Sequence, residues 1–130
     1  MEATVTPIGE MRMAAPGVLV HQLSEGGVTV TEDAATEVKR ITERLAGGDP
    51  VVVIVDMRTL AFADRNVRNE FGSAAGGVEV ATGLVVEQGM ISGELAELFI
   101  KFHDPDRPVE VFGRVPEAMA WARTLLERIS

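Results

Sequence analysis

The 130-residue sequence contains no cysteine. Without thiols, the chain can form neither a disulfide scaffold nor a cysteine-ligated zinc or iron–sulfur site. Basic residues are also scarce, because 12 Lys and Arg stand against 20 Asp and Glu and give a formal net charge of −8. An acidic surface repels phosphate backbones and anionic lipid. We therefore expect neither nucleic acid nor a membrane surface as a partner.

Long apolar runs are missing as well. The longest purely aliphatic run, Val51–Val55, is far too short to span a bilayer. Residues 1–9 contain no Lys or Arg and no apolar stretch of signal-peptide length. They are predicted to form a loose tail that precedes a single domain over residues 10–130. We expect a cytoplasmic protein.

Sequence motifs for catalysis or cofactor binding are absent. His21 and His103 are the only two histidines, so a histidine-based triad or metal site is not expected. The glycines of Gly72–Gly77 follow neither the dinucleotide-binding nor the P-loop spacing. We predict no cofactor and no metal, and we expect the protein not to be an enzyme.

Apolar periodicity predicts strands that alternate with helices. Val51–Asp56 is a run of Val and Ile that ends in Asp, which is typical of a strand buried on both faces of a parallel sheet. The predicted strands are Glu10–Ala14, Gly17–Leu23, Val51–Asp56, Val78–Glu87 and Val109–Phe112, and the predicted helices are Thr31–Ala46, Asp64–Ala74, Met90–Phe102 and a last one from Pro116. The order ββαβαβαβα predicts an α/β fold with a mixed, mostly parallel five-stranded sheet and about four flanking helices.

Asp56 stands at the carboxyl end of the buried strand, where α/β folds place ligands. A carboxylate there can be a phosphoryl-accepting nucleophile or a Mg²⁺ ligand. A dehalogenase-like site needs a second acid two residues later, where this chain has Arg58. We favour a structural role, in which Asp56 accepts loop N–H groups or pairs with Arg58. An enzyme that acts through Asp56 on a phosphorylated or carboxylated small molecule is the alternative.

The stretch from Arg58 to Arg68 is locally positive in an otherwise acidic chain. It contains Arg58, Arg65 and Arg68 but only one acid, Asp64. Arginine forks suit carboxylate and phosphate, so these residues, together with Asp56, predict a binding site for an anion or a partner. The alternative is that the arginines only neutralise nearby carboxylates and loop carbonyls.

Four stretches carry a resemblance to a known family: Gly27–Ala34, Val53–Arg58, Val67–Phe71 and Pro108–Trp121. In order and spacing they resemble the STAS fold of the anti-sigma-factor antagonists (SpoIIAA-like), and more closely its branch of small uncharacterised bacterial STAS/SEC14-type proteins. The resemblance implies a non-enzymatic domain that binds a protein partner or small anionic ligand, possible regulation, and contacts through the segment from Asp64 to Arg68. A SEC14-like carrier of an apolar ligand is a further alternative.

One departure from that family concerns its phosphorylation switch. Its regulatory members open a helix with an Asp-Ser-Ser-Gly-like turn, whose first serine is phosphorylated. Here Asp64 matches the aspartate, but Arg65 occupies the position of that serine. The switch is therefore expected to be lost, and modification of Ser73 or Ser92 stays open. A short edge strand near the amino terminus also makes a homodimer possible.

Overall fold

A computed structural model describes residues 3–24, 28–58, 60–63, 78–86 and 108–129. The strands in these ranges are β1 (Thr4–Thr6), β2 (Gly9–Ala15), β3 (Val18–Leu23), β4 (Val28–Val30), β5 (Val51–Asp56), β6 (Leu60–Ala63), β7 (Glu79–Val85) and β8 (Val109–Phe112). The helices described there are α1 (Glu32–Ala46) and α2 (Val115–Ile129).

The main sheet has six strands in the order β1-β2-β3-β5-β7-β8. β1, β2 and β3 are antiparallel, whereas β3, β5, β7 and β8 run parallel to one another. Tight turns at Pro7–Ile8 and Pro16–Gly17 explain the antiparallel start, and Gly17 provides a φ of 78° at the second turn. β4 and β6 form a separate parallel pair.

Helix α1 covers one face of the main sheet. It begins where the Thr31 hydroxyl accepts the Ala34 N–H at 3.2 Å, and it ends at Gly47, whose φ of 61° is left-handed. Ala35, Val38 and Ile41 form its buried stripe and belong to the same core as residues of β2, β3, β5 and β7.

Helix α2 packs on the opposite face. Ala118 and Ala122 are fully buried there among Val18, Val52 and Ile54. Side chains alternate along β5. Its Val and Ile residues therefore pack in two cores, one under α1 and one under α2. β5 is therefore buried on both faces, as its sequence predicts.

The predicted fold class, a five-stranded, mostly parallel sheet with about four helices, is wrong. The main sheet has six strands and an antiparallel beginning, and α1 and α2 are the two helices of the described residues. Residues 1–9, predicted to be a loose tail, contain β1 and the first residue of β2. The predicted order also contains neither β4 nor β6. The predicted helices Asp64–Ala74 and Met90–Phe102 lie outside the described residues.

Contacts with residues distant in sequence explain why β1 could not be predicted from its own residues. Thr6 and Ile8 are each less than a tenth exposed, because the hairpin turns them onto the α1 side of the sheet.

Neither of the two described helices combines the length and the apolar character needed to cross a bilayer.

Candidate anion-binding corner after the central strand

Asp56 lies at the carboxyl end of the central strand β5. β5 is hydrogen-bonded to β3 on one side and to β7 on the other, and all three run parallel. Asp56 is its last residue and is only 4% exposed. A carboxylate that is this deeply buried needs a partner, because an isolated charge is costly to remove from water.

Arg58 supplies that partner. Its Nε donates to Oδ1 of Asp56 at 2.8 Å, and its Nη2 donates to Oδ2 at 2.6 Å. The backbone N–H of Arg58 also donates to Oδ1, at 3.3 Å. Both carboxylate oxygens are thus engaged in a two-point, charge-assisted fork. The structure thus contains the pairing of Asp56 with Arg58 that the sequence analysis favours.

The backbone on both sides fixes the position of this fork. Met57, between the two partners, is 2% exposed, and its N–H donates to the Val85 carbonyl at 3.0 Å. β6 then begins at Leu60, so Arg58 lies on a short connection between two strands. An arginine anchored in this way keeps its guanidinium near one place.

The two partners differ in their access to solvent. The Arg58 side chain is 45% exposed, whereas that of Asp56 is 5% exposed. On the neighbouring strands, Gln22 lies opposite Asp56 and Glu10 lies opposite Gln22, and both are exposed. The corner formed by Asp56, Arg58, Gln22 and Glu10 therefore presents a half-exposed arginine side chain beside two exposed polar residues of the sheet.

This arrangement restricts the chemistry available to Asp56. Attack on a phosphoryl group or coordination of Mg²⁺ would require an oxygen that the fork already holds. Within the described ranges, no three His, Asp or Glu side chains gather so that they could hold a metal ion. The contacts of Asp56 fit a side chain that positions Arg58.

His21 is a buried polar residue that the sequence did not single out as such. Its side chain has no exposure, its Nε2 lies 2.9 Å from the Thr6 hydroxyl, and its Nδ1 has no hydrogen-bond partner. Removal from water lowers the pKa of His21 from 6.5 to about 4. The signal for burial was available, because Leu19 and Leu23 share its face of β3.

The structure brings two of the predicted site residues together, Asp56 and Arg58. Asp64, Arg65 and Arg68 lie outside the described residues, as do His103, Ser73 and Ser92. The structure therefore describes only the part of the predicted site at the end of β5.

These features define a small α/β domain with a mixed sheet and an arginine fixed by a buried carboxylate at the end of its central strand. The chain belongs to the family described as Domain of unknown function (DUF7793), whose model matches residues 13–126. No curated protein and no solved structure matches the chain.

The resemblance to the STAS, SpoIIAA-like family is wrong. The family model that matches is that of DUF7793, and no STAS model matches. The stretches that carried the resemblance are short, and an alternating order of strands and helices is common to many α/β proteins. The contact surface at Asp64–Arg68 loses the support of the resemblance and keeps only that of its charges.

Proposed function

We propose that this protein is a non-enzymatic binding domain that recognises an anionic group, carboxylate or phosphate, at the corner after β5. The group belongs either to a small ligand or to a protein partner. The observation that carries the proposal is the fork between Asp56 and Arg58, because it occupies the buried carboxylate of Asp56 at this strand end. The binding residues would be Arg58, Arg65 and Arg68.

The charges of the corner support this proposal. Asp56 and Arg58 neutralise each other, so Asp56 is not available to compensate the remaining arginines. By sequence, Arg65 and Arg68 then face only Asp64 within the stretch. A local cationic excess in a chain of net charge −8 attracts anions to that place.

The position of the corner is a second support. The carboxyl ends of parallel strands are where α/β sheets usually receive ligands. β3, β5 and β7 end together at this edge, and Arg58 follows the middle one of the three. The half-exposed side chain of Arg58 is the described group best placed to meet an anion there.

The test compares two double charge reversals. Arg65→Glu/Arg68→Glu reverses the corner, and Arg123→Glu/Arg128→Glu makes the same change in net charge on the exposed side of α2. Calorimetric titration uses inorganic phosphate and a dicarboxylate for the small-ligand arm and a polyglutamate peptide for the protein arm. We expect binding that weakens with salt, is lost in the corner variant and is kept in the α2 variant.

If Arg65→Glu/Arg68→Glu binds every probe as the unmodified chain does, if both double variants lose binding equally, or if the unmodified chain binds no probe, the corner is not an anion site. Preference for the peptide over the small anions identifies a protein partner, and the reverse preference identifies a small ligand.

A further inference from the structure

The edge strand β1 is firmly attached to the rest of the fold although it is short. Thr6 is 6% exposed and its hydroxyl contacts His21, while the next buried residue, Ile8, belongs to the α1-side core. The register with β2 is regular, with no bulge between Thr4 and Thr6. β1 is therefore an ordered edge that the sheet presents to its surroundings.

The hydrogen bonds of β2 show which backbone groups of β1 point outward. Ser24 donates its N–H to the Ile8 carbonyl at 2.9 Å, so Ile8 bonds toward β3. Backbone groups in an antiparallel ladder alternate in direction, so the next residue, Gly9, bonds toward β1. Gly9 lies opposite Thr6 in the register of β1 and β2.

The same alternation then fixes the direction of Val5. Thr6 and Thr4 direct their N–H and C=O groups to β2, and Val5, between them, directs its own away from the sheet. The Val5 side chain is 75% exposed, the largest value among the exposed large hydrophobic residues of the described chain. An outward hydrogen-bonding pair and an exposed apolar side chain thus coincide at one residue.

β1 is short, which protects a sheet edge in part, but it lacks the other protective devices. Besides being short, natural edge strands carry charges, proline or bulges that prevent further pairing. Thr4, Val5 and Thr6 contain none of these, whereas β8 at the opposite edge has Glu110 in its interior. The two edges of the sheet are therefore not equivalent.

We propose that two copies of this chain pair through β1, antiparallel and centred on Val5, into a continuous sheet of twelve strands, six from each copy. Because the pairing is centred on Val5, it places Val5 opposite Val5 of the second copy and each Thr4 opposite a Thr6. The two Val5 residues exchange N–H···O=C bonds. Val–Val and Thr–Thr are favourable cross-strand pairs.

The charge opposite Val5 on β2 adds little repulsion to this contact. Val5 lies beside Glu10 of β2, and the two copies of Glu10 would be three strand spacings apart, roughly 14 Å. That distance exceeds the screening length of about 8 Å at physiological salt. Strands this short bury far less than the roughly 1,200 Å² of a stable complex, so the dimer is weak and forms reversibly with concentration.

The first experiment is sedimentation velocity over a range of concentrations. Val5→Pro removes the outward N–H, which no residue of the described ranges accepts. Val5→Lys keeps the N–H but sets two like charges against each other. Ile129→Lys, at a 54% exposed position of α2, makes the same charge change elsewhere. We expect concentration-dependent dimers in the unmodified chain and in Ile129→Lys, and monomers in both Val5 variants. Melting temperatures confirm that the variants are folded.

The second experiment uses the absence of native cysteine. Residues of a hydrogen-bonded antiparallel pair have Cα atoms about 5.5 Å apart, which lies inside the range for a disulfide. Val5→Cys should oxidise to a covalent dimer about tenfold faster than Ile129→Cys, because pairing raises the effective concentration of the thiol. Equal oxidation rates, or dimers of Val5→Pro at the level of the unmodified chain, overturn the proposal. So does an unmodified chain that stays monomeric at every concentration.

Discussion

The Thr6 hydroxyl and Nε2 of His21 lie 2.9 Å apart in the core, although the two residues are fifteen positions apart in sequence. Thr6 also accepts the Ile8 N–H at 3.3 Å, so one hydroxyl connects the edge strand, the following turn and β3. The other ring nitrogen of His21 has no partner. We therefore expect the amino-terminal hairpin to respond to the protonation of this buried imidazole.

We expect the free energy of unfolding to fall as the pH drops below about 6.5. The pKa of His21 is about 4 in the folded chain and 6.5 for a histidine surrounded by water, so the unfolded state binds a proton that the folded state excludes. The stability from the neutral imidazole is complete above pH 6.5 and is lost down to about pH 4. A shift of this size corresponds to about 3 kcal/mol.

Urea unfolding at pH 7 and pH 4.5 measures this effect, with His21→Leu as the non-titrating comparison. Carboxylates also titrate in this range, so the informative quantity is the difference between the two proteins. The variant should lose less stability than the unmodified chain. Equal losses in both would show that His21 does not carry the pH dependence.

Replacement of Asp56 by Asn should destabilise the fold by about 1–3 kcal/mol, because it leaves the buried strand end without the anion that holds Arg58. Arg58→Gln tests the pair from the other side. A double-mutant cycle with both changes should give a clear coupling energy, since the two side chains share two hydrogen bonds. Additive losses would mean that the fork contributes nothing measurable.

The same Asp56→Asn protein tests the enzyme alternative. A screen of phosphate esters and carboxylic esters is expected to show no turnover by the unmodified chain. Turnover that disappears in a folded Asp56→Asn protein would instead make Asp56 a catalytic residue.

Local signals explain which parts of the fold the sequence could predict. The Val and Ile run of β5 and the cap and apolar spacing of α1 act over a few residues, and both elements lie close to their predicted bounds. β1 differs, because its Thr-Val-Thr stretch is held by contacts with His21 and with the α1-side core. Such long-range contacts leave no periodic signal in three residues.

The candidate site also contains residues whose contacts follow from sequence spacing and residues whose contacts do not. Asp56 and Arg58 stand two residues apart at a strand end, so their pairing followed from sequence spacing. The neighbours that β3 contributes, Gln22 beside Asp56 and the buried His21, depend on sheet register. Strand order is a property of the whole chain, and a resemblance based on short stretches could not replace it.

Loss of the cap on α1 should destabilise the protein by about 1 kcal/mol. Thr31→Ala removes the side chain that accepts the Ala34 N–H at 3.2 Å, whereas Thr31→Ser keeps that oxygen. Thermal unfolding should therefore rank the serine variant near the unmodified chain and the alanine variant below it. A serine variant as unstable as the alanine variant would assign the effect to the lost methyl group.

Gly9→Ala should be among the most damaging small substitutions within the ranges that the structure describes. A Cβ at Gly9 would overlap the backbone carbonyl of Gln22 on β3, and backbone atoms within a sheet cannot move aside as a side-chain tip can. We expect a loss of at least about 1–3 kcal/mol, the usual range for overpacking a tight site. Gly113→Ala is the matched control, because nothing lies within 4 Å of the added atom. Urea midpoints compare the two, and if Gly9→Ala unfolds at the same urea concentration as Gly113→Ala, the close contact between β2 and β3 is not as tight as the structure places it.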